Sequence, residues 1–231
     1  GLALNCNSPG TASLTGRTIF TPDLPKAYQI SQLYLPIARD GAVSVRTQEG
    51  ERTIRIHELH MEEDAGKLVH DPWLDQTRAD YNRCGVPLVE IVTEPDFRSA
   101  EEVIAYLEKL KSILEYLGIS DCKMQEGSLR CDVNLSVRPA GTEELGTRTE
   151  MKNLNSFKAI TRAIAYETRR QIERIEEGKP DRSGDPALGR EQGRHLLHAL
   201  QGERPGLPLF PGARHPPMEI TDDYLDSARK E

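Results

Sequence analysis

The sequence predicts an α+β fold, an antiparallel sheet with packed helices. Three observations carry this. Several short segments alternate apolar and polar residues as half-buried strands do. Two longer segments repeat apolar residues at helical spacing. The strand-like segments follow one another through hairpin-length loops as well as through helices, unlike a doubly wound parallel sheet.

Residues 1–35 are rich in turn signals, at Pro9-Gly10, Pro22-Asp23 and Pro25, and read as loop. Gly1-Leu-Ala-Leu has the pattern of a helix tail, and with no Met at the start it predicts an N-terminus upstream. Residues 42–46 and 53–61 alternate and read as strands. Residues 87–92, PLVEIV, are a short β-branched run around Glu90, ended by Pro95-Asp96. Residues 99–117 form the clearest helix. Ser99 and Glu102 fit a capping box, Val103, Leu107, Leu110, Leu114 and Leu117 share a face, and Gly118 is placed to cap the end. Residues 129–138 alternate strictly, with Cys131, Val133, Leu135 and Val137 on one face and Arg130, Asp132, Asn134, Ser136 and Arg138 on the other. Residues 147–153 read as a neighbouring strand, and 157–177 as a second helix ending at Gly178.

Composition narrows the function classes. The 231 residues allow one large domain or two small ones. At 37% hydrophobic and 29% charged, the chain has a core but a large polar surface. A formal charge of −7 argues against a broad nucleic-acid platform, which is normally basic, and leaves a local RNA contact open. Cys6, Cys84, Cys122 and Cys131 form no C-x-x-C pair, which argues against a zinc knuckle and fits a reducing compartment. No apolar run has transmembrane length and no signal peptide is visible. A Walker loop, a helical H-E-x-x-H site and a G-x-S-x-G elbow are absent from the sequence.

Three groups of residues hold candidate chemistry. In His60-Met61-Glu62-Glu63-Asp64-Ala65-Gly66-Lys67, three adjacent carboxylates repel one another, which a hard cation such as Mg²⁺ would relieve. Gly66 would admit a ligand close to the backbone and Lys67 would meet a phosphate. An acidic, solvent-exposed turn is the simpler reading of those residues alone. Glu90, inside an apolar strand, is either on a wet face or a paired functional group. The polar face of residues 129–138, with Glu150, Lys152, Asn153 and Asn155, suits a metal-bound phosphate or is the wet side of a one-sided sheet.

Taken together, YQISQ at 28–32, LHMEEDAGK at 59–67, YNRCGVPLVEIVTEPD at 81–96, MQEGSLRCDVNLSVRP at 124–139 and EMKNLNS at 150–156 closely resemble the GatB family, the B subunits of the tRNA-dependent amidotransferases. Five motifs in order make the match specific; one alone is weak. The resemblance implies a cradle domain of the glutamine synthetase/guanido kinase type, truncated here at both ends. It implies ATP and Mg²⁺ as cofactors and misacylated Glu-tRNA(Gln) or Asp-tRNA(Asn) as substrate. Its implied partners are the amidase (A) subunit and the small (C) subunit, in a cytoplasmic heterotrimer without a membrane. It also implies phosphorylation of the side-chain carboxylate, then displacement of phosphate by ammonia drawn from glutamine.

Residue by residue, the resemblance makes Glu63 and Glu90 magnesium ligands and catalytic carboxylates, with Asp132 and Glu150 in the same pocket. Glu62, Asp64, Lys67, Ser128 and Arg130 become its cofactor-binding neighbours, and Lys26 a position by the ammonia channel. Residues 1–180 correspond to a partial cradle domain and 216–231 to its end or the start of a linker. The family's first strand, with a Glu and a His for the metal, its N-terminal cysteine region and its helical and tail domains have no counterpart here. Residues 17–22, RTIFTP, depart from a family pattern nearer RKNYFYP at that edge of the implied pocket.

Residues 181–215 change composition abruptly. They are rich in Gly, Pro, Arg and His, including His195, His198 and His215, and lack Lys, Ile, Val, Thr, Asn, Met and Tyr. Taken at face value they predict an irregular or disordered segment. Back-translated and read one base later, permitted codons give a peptide of family character with the run DYRYFP, and PPMEI follows in the original frame. Two compensating frame errors account for this, and resequencing the coding DNA tests them. Two other readings stay open: an inactive fragment, and an RNA-binding or scaffold module with a solvated acidic face.

Overall fold

The computed structural model describes residues 1–18, 21–26, 28–32, 34–178, 210–211 and 217–230. A 3-10 turn at Leu2–Leu4 precedes β1 (Thr11–Ala12), β2 (Thr15–Thr18), β3 (Tyr28–Ser31), β4 (Ala38–Thr47), β5 (Gly50–Glu63), β6 (Lys67–His70), β7 (Thr77–Asp80) and β8 (Pro87–Thr93). Then come α1 (Ala100–Tyr116), β9 (Val133–Leu135), β10 (Thr149–Met151), α2 (Phe157–Glu176), β11 (Phe210–Pro211), β12 (Met218–Glu219) and α3 (Asp222–Ala228). The pairs β1–β12, β2–β3, β2–β11, β5–β8, β6–β7 and β9–β10 are all antiparallel, so the α+β expectation holds. The odd segment 181–215 lies, except for Phe210–Pro211, outside the described residues.

The chain divides into two compact units. One comprises Gly1–Ser44, Thr53–Asp96 and Pro205–Glu231; the other comprises Val45–Arg52 and Phe97–Arg204. In the first unit, the sheet β4-β5-β8 has the longest strands and β11-β2-β3 is a second, shorter sheet. Ile54 and Ile56 bury alternate positions of β5, as the pattern predicts, and the register shifts between Ile56 and Glu58. That bulge moves the apolar series from even to odd numbers, so Leu59 is buried next. Each of these side chains, fully removed from water, contributes about 2 kcal/mol. The hairpin β6–β7 buries little of itself and exposes Trp73 and Leu74 near its turn.

In the second unit, Tyr106, Leu107 and Leu110 of α1 and Ile160, Ala163 and Ile164 of α2 are buried. Phe97 meets Tyr106 edge to face at 5.4 Å. The α1 face is rotated slightly from the expected one: Tyr106 is buried, and Leu117 is half exposed beyond the helix. Ser99 Oγ accepts from Glu102 N at 3.2 Å, but the Glu102 carboxylate accepts from Arg98 N and Arg52 Nε instead of closing the capping box. Gly118 and Gly178 end the two helices at positive φ, as expected. The long alternation 129–138 supports only a three-residue strand, and 147–153 only its three-residue partner. The pairing stops where Gln171 takes over the backbone groups of Leu135 and Val137.

Candidate functional site

In the acidic run of the first unit, β5 carries Glu62 and Glu63 to its end and Asp64 follows in the turn. Each carboxylate meets a different donor. Ser31 Oγ donates to Glu62 Oε1 at 2.9 Å, Lys26 is ion-paired with Glu63, and Arg83 Nε donates to Asp64 Oδ2 at 2.9 Å. Lys26 and Arg83 thus offset the charge of two of the three carboxylates, and Ser31 gives Glu62 a neutral hydrogen bond. The exposed-turn reading does not hold, because Asp64 is buried and Glu62 and Glu63 are half-buried. Gly66 is needed for packing within the chain: its N donates to Asp23 O at 2.8 Å, and a Cβ there would sit 2.9 Å from that same oxygen. Lys67 is exposed at the start of β6, opposite Asp80.

Glu90 is exposed on β8, directly opposite His60. Strand alternation groups Glu58, His60, Glu62 and Glu90 on one face of the β5–β8 ladder and Met61 and Glu63 on the other. Glu63 and Glu90, expected to share a metal, therefore project from opposite faces. His60 is buried, and its Nε2 lies 2.8 Å from Glu58 Oε1 without the alignment of a hydrogen bond.

In the second unit, β9 and β10 pair Glu150 with Asn134, both exposed, and Met151 with Val133 on the inner face. Asp132 and Arg130 continue the outer face, and Lys152 Nζ lies 3.3 Å from Glu150 Oε1. Burial pushes the Asp132 carboxyl above its ordinary value; Lys152 and Arg130 pull it down and Glu150 pushes it further up. Cys131, turned the other way, is pushed up to about 11, chiefly by burial, so its thiol stays neutral. Ser128 is held in the preceding turn, its N donating to Lys123 O and its O accepting from Ser120 Oγ.

Magnesium takes one or two protein carboxylates and completes its shell with water and phosphate oxygens. Asp132 and Glu150, flanked by Arg130 and Lys152, match that donor set. Among the described residues no three His, Cys, Asp or Glu side chains gather into a metal-sized group.

Sequence reasoning missed the support beneath this face. Glu167 and Gln171 are buried on α2, at positions that continue the stripe of Ile160, Ala163 and Ile164. Polar residues on an apolar stripe were the available signal.

The family model described as GatB/GatE catalytic domain matches residues 1–219. The B subunit of an aspartyl/glutamyl-tRNA(Asn/Gln) amidotransferase from Lachnoclostridium phytofermentans is 56% identical over 97% of this chain and 47% of its own length. The protein of that name from Agathobacter rectalis is 62% identical over 78% of this chain and 38% of its own length. The one from Caldicellulosiruptor saccharolyticus is 50% identical over the whole chain and 48% of its own length. The chain thus spans about half the length of the curated bacterial relatives it matches. Among the described residues no helix is long and apolar enough to cross a membrane. With the family match covering residues 1–219, the chain belongs to the GatB/GatE catalytic-domain family.

Proposed function

We propose that this chain is the catalytic core of the GatB subunit in a cytoplasmic, heterotrimeric tRNA-dependent amidotransferase. It activates the side-chain carboxylate of Glu-tRNA(Gln) or Asp-tRNA(Asn) with ATP, and the activated acyl group then receives ammonia. The observation that carries the proposal is the open, charged β9–β10 face, with Asp132 and Glu150 beside Arg130 and Lys152, in a chain of this family.

A carboxylate resists amidation because its oxygen is a poor leaving group. Its attack on the γ-phosphorus of ATP breaks the bond to ADP and makes that oxygen part of an acyl phosphate. Ammonia adds to the acyl carbon, phosphate leaves with the oxygen, and the nitrogen loses a proton to give the amide. Asp132 and Glu150 would hold Mg²⁺, whose charge offsets that of the phosphate oxygens. Arg130 and Lys152 add fixed positive charge to the same face. The ammonia comes from glutamine through the amidase partner, with the small third subunit holding the pair together. Lys26, held by Glu63, borders its path.

The test uses the full-length chain assembled with its partner subunits, ATP, and Glu-tRNA(Gln) or the uncharged tRNA. ADP release that requires the misacylated glutamate is the expected result. ADP release indifferent to the aminoacyl group, or none at all, overturns the proposal.

A further inference from the structure

Beneath the β9–β10 ladder lies a buried polar cluster on one helix. Gln171 is 1% exposed and all its amide atoms are engaged. Its Oε1 accepts from Val137 N at 2.8 Å, and its Nε2 lies within donating distance of Leu135 O at 3.2 Å, Thr149 Oγ1 at 3.2 Å and Glu167 Oε1 at 2.9 Å. One side chain therefore grips β9 just past its last ladder residue and β10 at its first. The register makes this a sensitive place: Thr149 faces Leu135, and the next pair along is Glu150 with Asn134.

The grip is itself held. Arg170 Nε and NH2 donate to the two oxygens of Glu167 at 2.8 and 2.6 Å, and Arg170 also reaches Thr149 Oγ1 at 3.4 Å. Burial alone would push the Glu167 carboxyl up; the hydrogen bonds from Arg170, Gln171 and Thr149 outweigh it and hold the carboxyl below its ordinary value. A charged Glu167 fixes which end of the Gln171 amide points toward it, so the oxygen is left for Val137 N. Packing alone would need no such network: an apolar residue at position 171 would bury as well, but would leave Val137 N and Leu135 O unpaired.

We infer that Gln171, oriented by Glu167 and Arg170, is a positioning residue that sets the register and tilt of the Asp132–Asn134–Glu150 face. This rests on the activation chemistry proposed for that face. Two three-residue strands do not fix their own geometry, and a shift on the order of 1 Å in such groups lowers turnover on the order of 100-fold.

The experiment substitutes Gln171→Met, close in volume but unable to donate the amide bonds, in the full-length chain within the assembled enzyme. Two readings are taken where the variant is fully folded. Backbone amide exchange should speed up at Val137, whose N–H Gln171 holds. The kcat for ADP release should fall at least about tenfold, with KM for the tRNA unchanged. Unchanged exchange at Val137 overturns the grip. Faster exchange with wild-type kcat overturns the positioning role and leaves only a structural one. If wild-type enzyme shows no activation, the proposed function fails instead, and exchange alone decides the grip. Should Gln171→Met not fold, Thr149→Val removes the hydroxyl's contacts with Gln171, Arg170 and Glu167 while leaving the Gln171 bonds to Val137 and Leu135, and takes the same two readings at smaller amplitude.

Discussion

The acidic run at the end of β5 and the outer face of the β9–β10 ladder have similar composition and opposite use of charge. In the run, each carboxylate is matched to a donor from a separate segment: Ser31, Lys26 or Arg83. Asp64 is the extreme case, buried, paired with Arg83 and also accepting from Ala65 N at 3.1 Å. On the ladder, Glu150 has its contact with Lys152 on the same open face. The difference teaches that a cluster of carboxylates in sequence says little about availability. What matters is whether other segments have already supplied compensating charge or hydrogen bonds.

The comparison can be broken most directly at the open face. Glu150→Gln and Asp132→Asn are expected to lower ATP-dependent activation on the order of 100-fold while shifting the urea midpoint by the equivalent of about 0.5 kcal/mol or less. A large loss of stability would place them with the structural carboxylates. Next in size is Gly66→Ala. A Cβ there would press on Asp23 O and Asp80 O at 2.9 and 3.0 Å, so the variant should lose about 2 kcal/mol in chemical denaturation. Asp64→Ala should cost about 1–2 kcal/mol, less than a fully buried pair because Arg83 is partly exposed.

A pH series separates the support from the face. The folded Glu167 carboxyl lies below its ordinary value of 4.5, so it binds fewer protons than the unfolded one. Its stabilisation is present above that value and lost as pH falls through the folded one. Urea midpoints should drop on acidification in the wild type and drop less in Glu167→Gln. The smallest effect is expected for Lys152→Ala, about 0.5 kcal/mol or less in stability, with KM for ATP raised.

Much of the fold was legible in the sequence. Helical spacing, Ser99 and the two glycine ends located α1 and α2, because these signals act within one turn; the Ser156 cap of α2 was not singled out. Even the β5 bulge is written in the series Ile54, Ile56, Leu59. The short hairpin β6–β7 was not foreseen, since its strands bury too little for a periodic pattern to emerge, and the strands of two to four residues before residue 35, expected as loop, are too short to show one. At the site, alternation predicted the Arg130–Asp132–Asn134 face correctly although most of the expected strand is irregular. The partners of Glu62, Glu63 and Asp64 were not legible, because Ser31, Lys26 and Arg83 come from 19 to 37 residues away.

The most direct test pairs Glu150→Gln with Asp64→Asn in the assembled full-length enzyme, measuring misacylated-tRNA-dependent ADP release per folded molecule and the urea midpoint on the same samples. Glu150→Gln should lose turnover and keep its midpoint, while Asp64→Asn should lose midpoint and keep turnover. The reverse pattern, with Asp64→Asn inactive at unchanged stability and Glu150→Gln active, would contradict the assignment of the chemistry to the β9–β10 face.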